Sequence, residues 1–106
     1  MDIITSKEIL GLVSKIESEL DRCQMPIPNE DIPRKIERLA SKLSSVDTYA
    51  SEKAYQIASY SKMYYSVRKH DKYPGGATEL WHFIRVDLPH RIRRQAAVRE
   101  KHGSIT

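Results

Sequence analysis

The sequence predicts an all-α protein, either an elongated helical hairpin or a small helical bundle, with a long central helix and a basic C-terminal helix. Three observations support this. Apolar residues recur at helical intervals through most of the chain. Asp31-Ile32-Pro33-Arg34-Lys35-Ile36 and Asp87-Leu88-Pro89-His90-Arg91-Ile92 share the same helix-opening pattern. In it the Asp accepts from free backbone N–H groups and the Pro lies where its missing donor is harmless. Breakers gather in Met25-Pro26-Ile27-Pro28-Asn29 and in Asp71-Lys72-Tyr73-Pro74-Gly75-Gly76, which divide the helical stretches.

A length of 106 residues fits one domain, 1–106, near the lower end of what buries a self-sufficient core. Hydrophobic residues make up 40% and charged residues 30% of the chain, a balance that suits an elongated or partner-covered helical protein as well as a compact one.

The first element is an acidic helix over about 6–23. Thr5-Ser6-Lys7-Glu8 has the spacing of a capping box, and Ile9, Leu12, Val13, Ile16 and Leu20 then recur on one face, continued by Cys23. Gly11 interrupts this helix at a cost of roughly 1 kcal/mol relative to Ala and permits close approach of a neighbour. From Ile32 two seven-residue series begin: Ile32, Leu39, Val46, Lys53, Tyr60, Val67 and Ile36, Leu43, Ala50, Ile57, Tyr64. They predict a long helix over about 32–70, or two nearly collinear helices, which at ~1.5 Å per residue would reach about 58 Å and would have to fold back or find a partner. The alternative is a break at Ser44-Ser45-Val46-Asp47, where Ser and Asp could cap a new helix near Thr48. A turn over 71–77 follows, then a short helix over about 78–86 holding Leu80, Trp81, Phe83 and Ile84, and a basic helix over about 88–102.

Charge is distributed unevenly. The formal net charge is +4, yet residues 1–31 carry three basic against seven acidic side chains, so the excess lies in the last two thirds. That asymmetry predicts an anionic partner, either nucleic acid or an acidic protein surface; alternatively the acidic first helix lies over a basic one. Cys23 is the single cysteine, which excludes an intramolecular disulfide and the usual Cys-based zinc sites within one chain and suits a reducing compartment. The start Met1-Asp2-Ile3-Ile4 lacks a basic region followed by a long apolar run, and no stretch approaches the ~20 apolar residues of a membrane span. The expectation is a cytoplasmic chain without membrane contact, metal or cofactor.

A non-enzymatic binding module follows from these features. Candidate nucleic-acid or anion contacts are Arg68, Lys69, Arg85, Arg91, Arg93, Arg94, Arg99 and Lys101, whose charges would neutralise phosphates. Among six tyrosines, Tyr65 and Tyr73 are the candidates for stacking on bases, while Tyr60 and Tyr64 lie on the heptad seam. Ile36, Leu43, Ile57, Tyr64 and Trp81 are expected at an interface with a second copy or a larger protein. In the alternative reading, the chain is an adaptor or inhibitor that docks on a larger host or viral protein through its exposed apolar and aromatic residues.

Catalytic signals are sparse. No acidic pair, metal cluster, nucleophile motif or phosphate loop is placed to hold a reacting atom, and His70, His82 and His102 form no recognisable triad. Arg85-Val86-Asp87-Leu88-Pro89-His90 has an Arg-x4-His spacing that resembles the active-site motif of the HEPN ribonucleases, small all-helical proteins in which the Arg and His form a paired active site on RNA. The resemblance covers six residues, and Pro89 is expected to break the helix across them. A wider resemblance starts at Val46 and takes in Tyr49-Ala50-Ser51-Glu52-Lys53-Ala54-Tyr55, Arg68-Lys69, Thr78, Asp87 and the Arg-rich close. That layout is similar to the small helical accessory proteins of temperate bacteriophages, and implies an auxiliary acting on nucleic acid or on a protein of nucleic-acid metabolism. Gly75-Gly76 and Trp81-His82-Phe83 depart from the layout, and no functional residue transfers from it.

Overall fold

Ile9, Val13, Ile16 and Leu20 lie on one stripe of a helix, and all four are fully buried. In the computed structural model, which describes residues 2–105 with side chains for 3–101, that helix is α1, Asp2–Asp21. It begins before the expected capping box. Thr5-Ser6-Lys7-Glu8 therefore lies inside α1, where its backbone donors are already engaged, and Ser6 is buried.

The second helix, α2, spans Asp31–Ser44. Its cap differs from the expected one. Asn29 Oδ1 accepts from the amides of Asp31 (3.0 Å) and Ile32 (3.1 Å), while the Asp31 carboxylate takes Arg22 (3.1 Å) and Lys35 (3.3 Å). Asn satisfies first-turn donors as well as Asp does.

The long central helix is not formed. Ser44 and Ser45 turn their hydroxyls onto the carbonyls of Ser41 and Lys42, the local competition that makes serine a weak helix former. The amides of Val46 and Asp47 then both return to the Leu43 carbonyl at 2.9 Å. Asp47 is extended (φ −159°, ψ 122°), and its Oδ1 accepts from the Ala50 amide at 2.8 Å, which opens α3, Thr48–Tyr64. The chain reverses, so α3 runs back along α2, joined by Ser51 Oγ donating to the Ala40 carbonyl (3.0 Å) and by a Lys62–Glu37 ion pair.

This reversal overturns the interface assignment. Ile36, Leu43 and Ile57 are 0% exposed and Tyr64 is 3% exposed, all inside the chain's own core. Trp81 is half-buried, its ring 5.1 Å from that of Tyr64. These seam residues therefore close on one another within one chain.

Beyond α3 the chain passes through a 3-10 turn, Lys69–Lys72, to Gly75 and Gly76, both in the left-handed region (φ 88° and 77°). At Gly75 a Cβ would lie 2.2 Å from Glu79 Cγ, so only glycine fits. The expected pair of C-terminal helices is one continuous rod: α4, Gly76–His82, a π-helical turn, Phe83–Asp87, and α5, Leu88–Ile105. Pro89 does not break it. Proline has no N–H for the Arg85 carbonyl and would crowd it; the wider turn, in which the Leu88 amide reaches back five residues to Phe83, absorbs the misfit.

Four rods thus pack up and down, α1 against α2 and α5, and α3 against α2 and α5. At about 1.5 Å per residue the last rod is about 45 Å long, close to the 49 Å longest dimension of the molecule. Among the described residues there is no strand.

Candidate anion-binding face on the C-terminal helix

The eight predicted cations separate into four groups. Arg85 and Arg93 face α1. Arg85 donates to Asp21 through Nε (2.8 Å) and Nη2 (2.9 Å) and to Glu17 through Nη1 (2.9 Å); Arg93 donates to Glu17 through Nη1 (2.6 Å) and Nη2. Glu17 is only 15% exposed, and the paired guanidinium holds the Asp21 carboxyl below its usual range while both arginines are held more firmly protonated. These two arginines clamp the acidic helix onto the basic one, and their donors are directed inward.

Arg99 faces the α2–α3 corner. Its Nε donates to Asp47 Oδ2 at 2.7 Å, beside Gln95 Nε2 at 2.8 Å on the same oxygen. Burial raises the Asp47 pKa, but the donors Gln95, Ala50 and Arg99 together outweigh it and hold the carboxyl below its usual value. One residue therefore caps α3 and ties it to α5.

Arg91 and Arg94 face outward. With Tyr49, Gln95 and Val98 they line an open cleft of about 260 Å³ at the seam of α3 and α5. The Tyr49 ring is 40% exposed, and Lys53, one turn on along α3, places its Nζ 5.2 Å from the ring centroid. His90 and Lys101 are exposed on the same helix. Two guanidinium groups, an ammonium and an exposed aromatic ring thus share one patch.

Arg68 and Lys69 are not part of it. They are exposed in the segment after α3, at the end of the bundle away from Tyr49, where Lys69 borders a separate groove of about 450 Å³ with Arg34, Glu37, Lys62 and Ser66.

Both predicted stacking residues are engaged within the chain. Tyr65 is 5% exposed, its hydroxyl donating to the carbonyls of Leu20 (3.2 Å) and Cys23 (2.6 Å), and burial drives its pKa well above the usual tyrosine value. Tyr73 is half-buried, stacked on Phe83 at 6.1 Å and edge-on to Tyr60 at 6.1 Å. The exposed tyrosines are Tyr49 and Tyr55, of which Tyr49 lines the arginine cleft. Its signal in the sequence is its position two residues after the Asp47 cap and one turn before Lys53, a first-turn place that a helix leaves open.

Arg85 and His90, the pair that resembles a ribonuclease motif, occupy different environments: Arg85 is engaged with α1 and His90 is exposed. Among the described residues no group of three His, Cys, Asp or Glu side chains is placed to hold a metal ion, and no helix is long and apolar enough to cross a membrane. The His102 side chain lies outside the described residues. No family model, curated protein or solved structure matches this chain.

Proposed function

We propose that this chain is a nucleic-acid-binding module that lays a single strand along the outer face of its basic C-terminal helix. The observation that carries this reading is the juxtaposition of Arg91, Arg94 and Lys53 around the exposed Tyr49 ring. Arg91 and Arg94 are three residues apart on one helix, so their side chains start about 5–6 Å from each other and can serve neighbouring phosphates. The Tyr49 ring supplies a sequence-tolerant platform on which one base stacks, worth about 1–3 kcal/mol. Glu52, exposed and adjacent to Lys53 on α3, is an acidic neighbour of the patch.

An acidic protein surface is the second reading. Val98, 45% exposed in the cleft, favours it, because a phosphate backbone gains nothing from an exposed valine.

Fluorescence anisotropy of a labelled single-stranded oligonucleotide over a salt series tests the proposal. Replacing Arg91 and Arg94 by Glu should abolish binding while helicity is kept, and Tyr49→Ala should weaken it without altering the salt slope. Each phosphate contact on a single strand contributes about −0.7 to the log–log slope. Arg93 is left out of the variant, since its loss would disturb the Glu17 clamp. Undiminished binding by the double variant would refute the assignment.

A further inference from the structure

Gly11 is not required by the fold. It sits within α1, where glycine is less favourable than alanine by about 1 kcal/mol, and a Cβ added there meets nothing within 4 Å. It lies in an open groove of about 380 Å³ between α1 and the α2–α3 corner, lined by Glu8, Gly11, Leu12, Lys15, Lys42, Ser45 and Val46. Leu12 and Val46 are half-buried apolar residues there. Glu8 and Lys15 are exposed, and neither forms an ion pair within the described chain.

We propose that this groove is the self-association surface of the protein, occupied by the α1 helix of a second copy running antiparallel. Self-complementarity selects that occupant. A two-fold axis between positions 11 and 12 of α1 sets residue i opposite residue 23 − i of the other copy. Glu8 then faces Lys15 of the second copy, and Lys15 faces its Glu8, so both unpaired charges find partners by one operation. The same operation sets each Leu12 against the other copy's Gly11, where the missing side chain leaves room for it. The next pair on this face sets exposed Ile4 against the stem of Glu19, whose carboxylate is already held by Arg22 of its own chain.

This surface is on the α1–α2 seam, whereas the arginine cleft is on the α3–α5 seam. A dimer built this way leaves both clefts open, which would give two anion-binding faces per assembly and an avidity that one copy lacks.

Sedimentation equilibrium of the full chain, from micromolar to near-millimolar concentration, tests the proposal through charge exchange. Wild type should dimerise. Glu8→Lys alone and Lys15→Glu alone should each weaken the dimer by about tenfold or more, since two attractive pairs become two repulsive ones. An equimolar mixture of the two single variants should recover wild-type association as a heterodimer, and the double variant carrying both changes should recover it alone. Gly11→Leu should be monomeric while melting no lower than wild type, because the added side chain has space within the monomer. A wild type that stays monomeric throughout, a Gly11→Leu variant that still dimerises, or single variants whose mixture gains nothing over either alone would overturn the proposal.

Discussion

Removing the Asp47 side chain should destabilise the protein by about 2–4 kcal/mol, more than a helix cap alone accounts for. The carboxylate is 1% exposed and accepts from the Ala50 amide (2.8 Å), Gln95 (2.8 Å) and Arg99 (2.7 Å). Losing an N-cap costs about 0.5–2 kcal/mol. A hydrogen bond to a charged group is worth about 1.5–3 kcal/mol, but Arg99 is 40% exposed, so water replaces much of what it loses. For a chain of this length 1 kcal/mol corresponds to about 4–5 °C in Tm. Asp47→Ala should therefore melt about 8–20 °C below wild type by far-UV circular dichroism. Asp47→Asn keeps a capping oxygen but not the charge, and should fall between the two. An alanine variant within about 2 °C of wild type would refute the reasoning, as would an asparagine variant no better than alanine.

The pH dependence follows from the same contacts. The Asp47 carboxyl is held below its usual value in the folded protein. Its stabilising contribution is therefore complete above the unfolded value of about 3.9 and disappears as pH falls through the lower folded value. The gap in Tm between wild type and Asp47→Ala should be constant near neutrality and close below about pH 4.

Core, clamp and turn give three more tests. Ile57→Ala should cost about 2–5 kcal/mol in urea unfolding, independently of protein concentration, because Ile57 is buried within one chain. Glu17→Gln should cost about 1–3 kcal/mol by the same measurement, since it leaves Arg93 and part of Arg85 without a charged acceptor in a partly shielded site. Gly75→Ala should cost more than about 1 kcal/mol, read as a lowered melting temperature, because the residue sits at φ 88° with Glu79 in the way.

What could be read from the sequence was local periodicity; what could not was the side of each helix on which a residue meets another element. The stripe Ile9, Val13, Ile16, Leu20 is buried as its spacing predicts. The two heptad series, by contrast, keep their phase through Ser44-Ser45-Val46-Asp47 whether the chain goes straight or doubles back, because both arms of a hairpin face the same core. The serines and Asp47 mark the break locally, as the alternative reading has it, and Asp47 does cap α3; what no local pattern reveals is its hold on Gln95 and Arg99, 48 and 52 residues away. Asp87-Leu88-Pro89 misleads in the other direction: it has the composition of a helix start, yet a helix already running through it tolerates the proline by widening one turn. Tyr49 stands in the first turn of α3 beside its cap, whereas Tyr65 follows the last turn, where the packing of that segment against the end of α1 puts it inside.

The positive charge of the last helix is likewise partitioned by position rather than by amount. Arg85, Arg93 and Arg99 are matched inside the chain by Glu17, Asp21 and Asp47, so the acidity of the first helix is explained by the fold and does not by itself argue for or against an anionic partner. Arg91 and Arg94 have no such explanation. They lie outside the clamp, contribute nothing to the packing of α5 on α1, and face a cleft whose other wall is an exposed tyrosine. The inner pairs are anchored on Glu17 and Asp47, 15% and 1% exposed, and are therefore screened by salt less than contacts at the open cleft. Ionic strength should therefore separate two things that the total charge of the sequence merges: holding the bundle together and the proposed contact with an anionic partner.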